Sequence, residues 1–152
     1  MPTPQETKDE WPGLDTLIPH RPPILLVEKI VRFGAGELVC RGVLPAYDRS
    51  RRPTAAPPFL ALELAAQTAA VLAALEGGES PSQAGAIGYL AAIRDARFLT
   101  PEIPAGRRLL ATVRSAGRMP PLRTYSVEVA LEDGAIGLVT AFLSTYLASS
   151  AG

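Results

Sequence analysis

A general acid needs a carboxyl group held partly away from water, and this 152-residue sequence offers one in an apolar setting. Glu63 stands in the run Phe59–Leu75 (FLALELAAQTAAVLAAL), where Gln67 and Thr68 are the only other polar residues. Carboxylates are rarely buried without a reason. Desolvation favours the protonated form, which is the form a proton donor must hold. The competing explanation is electrostatic, because a negative charge in the first turn of a helix offsets the helix dipole. Gln67 lies one helical turn further along on the same face. Its amide is placed either to orient the Glu63 carboxyl or to reach a neighbouring strand. Phe59, at the head of the run, is a candidate substrate contact.

The second candidate for proton chemistry is His20, the single histidine of the chain. Imidazole is the side chain that ordinarily changes charge near neutral pH, which makes His20 a candidate base. Its alternative is structural, tying down the start of the first strand, and Arg21 shares that alternative. Arg49, Arg51 and Arg52 crowd one short stretch and suit an acidic protein surface or a phosphate group, although a solvated arginine loop needs no ligand. Other chemistries find no support. Ser50 and Ser144 have no base nearby in sequence to activate a nucleophile. No spacing of His, Cys, Asp and Glu suits a metal, and Gly77-Gly78 follows a helix instead of opening one as a nucleotide loop does. No cofactor is expected.

Composition narrows the setting. Lysine plus arginine equals aspartate plus glutamate at 15 each, so charge gives no reason to expect nucleic acid or a membrane surface as partner. Cys40 is the only cysteine, which excludes an intrachain disulfide and makes a reducing, cytoplasmic setting the expectation; mid-strand, it reads as a small core residue. The polar opening MPTPQETKDEWPG is unlike a signal peptide. No apolar run reaches the roughly 20 residues that cross a bilayer.

The elements that must position these residues follow from periodicity and punctuation. Residues Met1 to about Thr16 read as a weakly ordered arm, and residues 17–148 as a single domain. Ile24–Phe33 and Glu37–Leu44 predict two strands around the turn Gly34-Ala35-Gly36. Proline, arginine and alanine fill the next stretch to Pro58, which predicts a loop. The run Phe59–Leu75 predicts a helix about 25 Å long, preceded by Pro57-Pro58 and closed by Gly77-Gly78. A helix apolar on nearly every side is buried on nearly every side. Four further strands are predicted at about Ile87–Phe98, Arg107–Ala116, Leu122–Leu131 and Ala135–Leu147, with an Asp133-Gly134 turn before the last. Two strands, a buried helix and four strands predict an α+β domain whose antiparallel sheet curls around one central helix, the hotdog arrangement.

Three stretches carry a family resemblance. The run Ile18-Pro19-His20-Arg21-Pro22-Pro23-Ile24-Leu25-Leu26-Val27-Glu28-Lys29 resembles the opening signature of bacterial 3-hydroxyacyl-(acyl carrier protein) dehydratases. Leu62-Glu63-Leu64-Ala65-Ala66-Gln67 resembles their helix motif, an acid followed four positions later by Gln. Phe98, Pro101, Pro104, Gly106 and Leu109 are similar to the stretch that leads into that family's next long strand. The resemblance implies a dimer in which a loop histidine takes the α-proton of an acyl thioester. A carboxylate on the central helix, here Glu63, then helps the β-hydroxyl leave as water. It also implies a glycine amide at the helix start that binds the thioester carbonyl. Counted back without gaps, the histidine position falls on Arg49 and the glycine position on Pro58, which has no N–H. The Pro-His position of the opening motif is not the catalytic one in those relatives. Retaining the helix acid while lacking the loop histidine resembles a narrower branch, the dehydratase-like proteins of aryl polyene pathways (ApeP-like).

Three functions compete. The first is a dehydratase acting on acyl carrier protein or coenzyme A thioesters, completed by a histidine-bearing partner subunit. The second is a non-catalytic, acyl-binding hotdog subunit. The third is a thioesterase in which Glu63 directs water or itself attacks the carbonyl. A curled sheet leaves an edge and an apolar flank, so a homodimer or a heterodimer with a related subunit is expected.

Overall fold

The computed structural model describes residues 11–45, 55–77, 87–134 and 136–148. Its first long elements are β1 (Val27–Gly34) and β2 (Glu37–Val43), an antiparallel hairpin. Ala35 and Gly36 form its two-residue turn with φ of 53° and 72°, the left-handed pair that matches strand twist. The predicted first strand begins three residues late, because Pro22–Ile24 form a turn. A four-residue helix, α1 (Leu14–Leu17), precedes it and buries Leu17. Trp11 packs edge-on against Phe33, within the segment expected to be a weakly ordered arm.

Helix α2 spans Phe59–Leu75, as the apolar run predicts. Only Phe59 among its residues is exposed, and Ala61, Leu64, Ala65, Ala69, Val71 and Leu72 are fully buried. Gly77 ends it with φ of 80°, a left-handed conformation that glycine adopts without strain. Around it runs one antiparallel sheet in the order β1-β2-β6-β7-β8-β4, with β4 (Ile87–Phe98), β6 (Arg108–Met119), β7 (Leu122–Leu131) and β8 (Gly137–Ala148). On the inner face Leu109, Ala111, Val113, Tyr125, Val127, Val129, Val139, Ala141 and Leu143 are buried, and polar residues alternate with most of them. The helix packs against β1, β2, β6, β7 and β8. This is the hotdog arrangement.

Two details depart from the sequence reading. The predicted loop before α2 contains β3 (Ala55–Ala56), which pairs with β5 (Ile103–Pro104) in a second, two-stranded sheet. Burial of Ala56 and Ile103 fixes that pair, although proline punctuation argues against regular structure there. Strand β6 runs past the predicted end at Ala116 because a register shift between Ser115 and Gly117 absorbs the glycine within the strand.

Candidate functional site

The site is built where the chain entering β1 crosses the first turns of α2. Ile18 is fully buried and anchors that segment. Arg21 folds it back on itself, its guanidinium donating to the carbonyls of Ile18 (2.8 Å), His20 (2.9 Å) and Asp15 (2.9 Å). The backbone amides of Ile24 and Leu25 then donate to the Arg21 carbonyl, closing the turn. Arg21 therefore has the structural role that was its alternative.

Gln67 fastens this segment to the helix. It is 1% exposed, and its Oε1 accepts from the amides of Leu26 (2.8 Å) and Val27 (3.4 Å). Its Nε2 donates to the Ile24 carbonyl (3.0 Å) and to Oε1 of Glu63 (3.1 Å). Both lone pairs and both hydrogens of the amide are engaged, so the network itself fixes which end is oxygen. Gln67 at once reaches the neighbouring segment and bonds the Glu63 carboxyl. It is buried away from any open surface.

Glu63 sits at the open end of this arrangement, its side chain 42% exposed and its Oε1 held by Gln67. The carboxyl is less buried in the protomer than the apolar run suggests, because the first turn of α2 emerges from the core at half-exposed Phe59. His20 stands beside it, with Nε2 3.9 Å from Oε1 of Glu63. The Nδ1 atom of His20 is buried and has no hydrogen-bond partner among the described residues. His20 and Glu63, which come from different motifs of the sequence, thus lie side by side at one carboxyl oxygen. The signal for this was present in two motifs, but neither motif alone gives their contact.

Pro58 is the residue before the helix, with the first turn closed by bonds from Leu60 to Pro57 and from Ala61 to Pro58. Arg49, Arg51 and Arg52 lie outside the described residues. Cys40 is buried against the helix at Thr68, and burial pushes its thiol up to about 12, so it serves the core. Among the described residues no group of His, Cys, Asp and Glu is arranged to hold a metal ion.

Residues 12–151 match the ApeP-like family, described as ApeP dehydratase. The chain belongs to that family. It is also 37% identical over 102 residues to a 3-hydroxyacyl-[acyl-carrier-protein] dehydratase FabZ of Anaeromyxobacter sp. (strain K). That match covers 62% of this chain and 64% of the relative, just under two thirds of its length. Among solved structures the ApeP-like chain is similar to a chain of the dehydratase heterocomplex ApeI:P from Xenorhabdus doucetiae. The TM-score is 0.77 at 18% identity, covering 93% of this chain and 94% of that one. A mutant form of the thioesterase PA1618 from Pseudomonas aeruginosa is less similar, at a TM-score of 0.58 and 17% identity over 78% of this chain and 79% of that one. At these identities the structural likenesses establish the hotdog fold. No helix among the described residues is long and apolar enough to cross a membrane.

Proposed function

We propose that this chain is the acid-bearing subunit of a 3-hydroxyacyl thioester dehydratase, completed by the histidine of a related hotdog subunit. The observation that carries the reading is the clamped carboxyl of Glu63 in a chain whose single histidine lies outside the pre-helix loop. Dehydration needs a base for the α-proton and an acid for the departing β-hydroxyl. Here Glu63 supplies the acid. Its proton goes to the hydroxyl as the Cβ–O bond breaks, water leaves, and the thioester stays intact. The base comes from the partner, by analogy with the similar ApeI:P dehydratase heterocomplex. Acyl groups carried on acyl carrier protein, in fatty acid or aryl polyene synthesis, are the substrates that the FabZ relative and the ApeP-like family suggest.

One observation favours the acyl-binding alternative. Pro58 stands where the resembling dehydratases place a carbonyl-binding amide, and proline has no N–H. Loss of such a donor costs about 3–4 kcal/mol of transition-state stabilisation in comparable sites. The test is to incubate the chain with a 3-hydroxyacyl-(acyl carrier protein), alone and with a histidine-bearing hotdog relative, and follow the enoyl product by mass. Enoyl product only in the mixture supports the proposal. Full turnover by this chain alone overturns the partner requirement, and no turnover in either leaves the acyl-binding subunit. Release of free thiol instead identifies a thioesterase.

A further inference from the structure

Two nitrogens converge on one oxygen of the Glu63 carboxyl. The Gln67 amide donates to Oε1 from 3.1 Å, and the His20 Nε2 faces the same atom from 3.9 Å. No hydrogen bond from the described residues reaches Oε2, and the side chain is 42% exposed. The tautomer of His20 follows from its other nitrogen. Nδ1 is buried with no acceptor among the described residues, and a buried N–H without an acceptor is a rarer arrangement than a bare lone pair. Assigning the ring hydrogen to Nε2 leaves Nδ1 as the bare lone pair and puts the hydrogen on the nitrogen that faces Glu63.

We propose that His20 is a positioning residue for Glu63, its Nε2–H and the Gln67 amide together holding Oε1 so that Oε2 carries the proton to be donated. The inference rests on the dehydratase reading. In the reaction the partner's base takes the α-proton, and the released electron pair forms the Cα=Cβ bond. The Cβ–O bond then breaks and the Oε2 proton joins the departing hydroxyl as water. Negative charge develops on the carboxyl at that moment; the Gln67 N–H already bonded to Oε1 stabilises it, and the His20 N–H adds to this once the 3.9 Å gap closes. At 3.9 Å the pair is not a hydrogen bond in this protomer, and the inference requires it to shorten to one in the substrate-filled site, as catalytic contacts commonly do. The short Pro19–Pro23 segment, clamped by Arg21, keeps the imidazole at that position.

The test uses the mixed dimer and three variants of this subunit: His20→Ala, His20→Gln and His20→Ala combined with Glu63→Gln. With wild type active, His20→Ala should lower kcat by about 10- to 100-fold, the scale of a misplaced catalytic group, with KM changed less than about threefold. Glutamine can present an N–H in place of Nε2, so His20→Gln should recover most of the loss. In the Glu63→Gln background, His20→Ala should cost nothing further, because His20 acts through that carboxyl. Thermal midpoints and subunit association identify a variant that merely fails to fold, and His20→Gln, the smaller change, then decides. Unchanged kcat in His20→Ala, a loss confined to KM, or an undiminished loss in the Glu63→Gln background overturns the inference and leaves the dehydratase reading intact. A wild-type mixed dimer without turnover overturns the dehydratase reading first, and the role of His20 falls with it.

Discussion

Replacing Glu63 by glutamine keeps the size of the side chain and its place beside Gln67 but removes the transferable proton. In the mixed dimer this change should lower the rate of enoyl formation by about 10²–10⁴-fold, the usual contribution of a positioned general acid. Its thermal midpoint should stay near wild type, since the side chain is partly exposed. Gln67 predicts the opposite pattern. Gln67→Ala strips partners from the Ile24 carbonyl and the Leu26 amide and should cost roughly 1–3 kcal/mol of stability by denaturant titration. A Gln67→Ala variant with unchanged stability would contradict the clasp described above. At this scale the contact between Glu63 and Gln67 was legible in the sequence because four-residue spacing fixes a shared helix face. The approach of His20 was not legible, because a long stretch of chain, β1 and β2 included, separates it from Glu63 and only the fold brings them together.

The elements hold that approach in place through tight packing at β2. A β-carbon added at Gly42 would lie 2.6 Å from both the Leu26 carbonyl oxygen and Cδ1 of Leu64, against backbone on one side and core on the other. Gly42→Ala should therefore destabilise by about 1–3 kcal/mol and push apart the two segments that carry the Gln67 bonds, measurable as a lowered unfolding midpoint. At the start of the same strand, Glu37 is gripped by Arg32 and Arg114. Burial opposes its ionisation, but the two guanidinium groups outweigh burial and hold its carboxyl below the ordinary value of 4.5. A folded-state value lowered in this way adds stability that is complete above pH 4.5 and lost as pH falls through the folded value. Wild type should then exceed Glu37→Gln in stability at about pH 7, with the gap closing below about pH 4. A gap that persists unchanged into acid would exclude the charge pairing as its cause. Strand and helix limits were legible where proline or glycine punctuates an apolar run, as at Pro58 and Gly77. The β3–β5 pair was not, because two residues carry no periodicity and only the burial of Ala56 and Ile103 joins them.

On the scale of the whole molecule, the sheet is unfinished at β4. Ile93 lies across from Leu143 and Phe98 across from Val139, and both of those β8 residues are fully buried on the inner face. Yet Ile93 is 44% exposed and Phe98 47%, because β4 lies at the margin of the sheet, where its described side chains are all exposed. An edge strand with large apolar side chains on its inner face invites another chain. The dimer expected from the need to cover an edge is proposed to form here, with β4 as the edge that a related hotdog subunit would cover. Ile93→Arg puts a charge into that surface, and burying an unpaired charge is strongly unfavourable. Sedimentation of this variant with the histidine-bearing relative should show separate subunits at concentrations where wild type associates, and enoyl formation should be lost with association. Phe142→Arg supplies the control. Phe142 is similarly exposed, at 40%, but lies on the outer face of β8, opposite to the buried Ala141 and Leu143. The same charge there should leave both association and turnover in place. If Ile93→Arg still associates and dehydrates while retaining its fold, the partner does not bind at β4, and the route by which another subunit's base would reach Glu63 must run elsewhere. If both variants dissociate, the outer face is also part of the assembly, and pairing along one edge does not account for it.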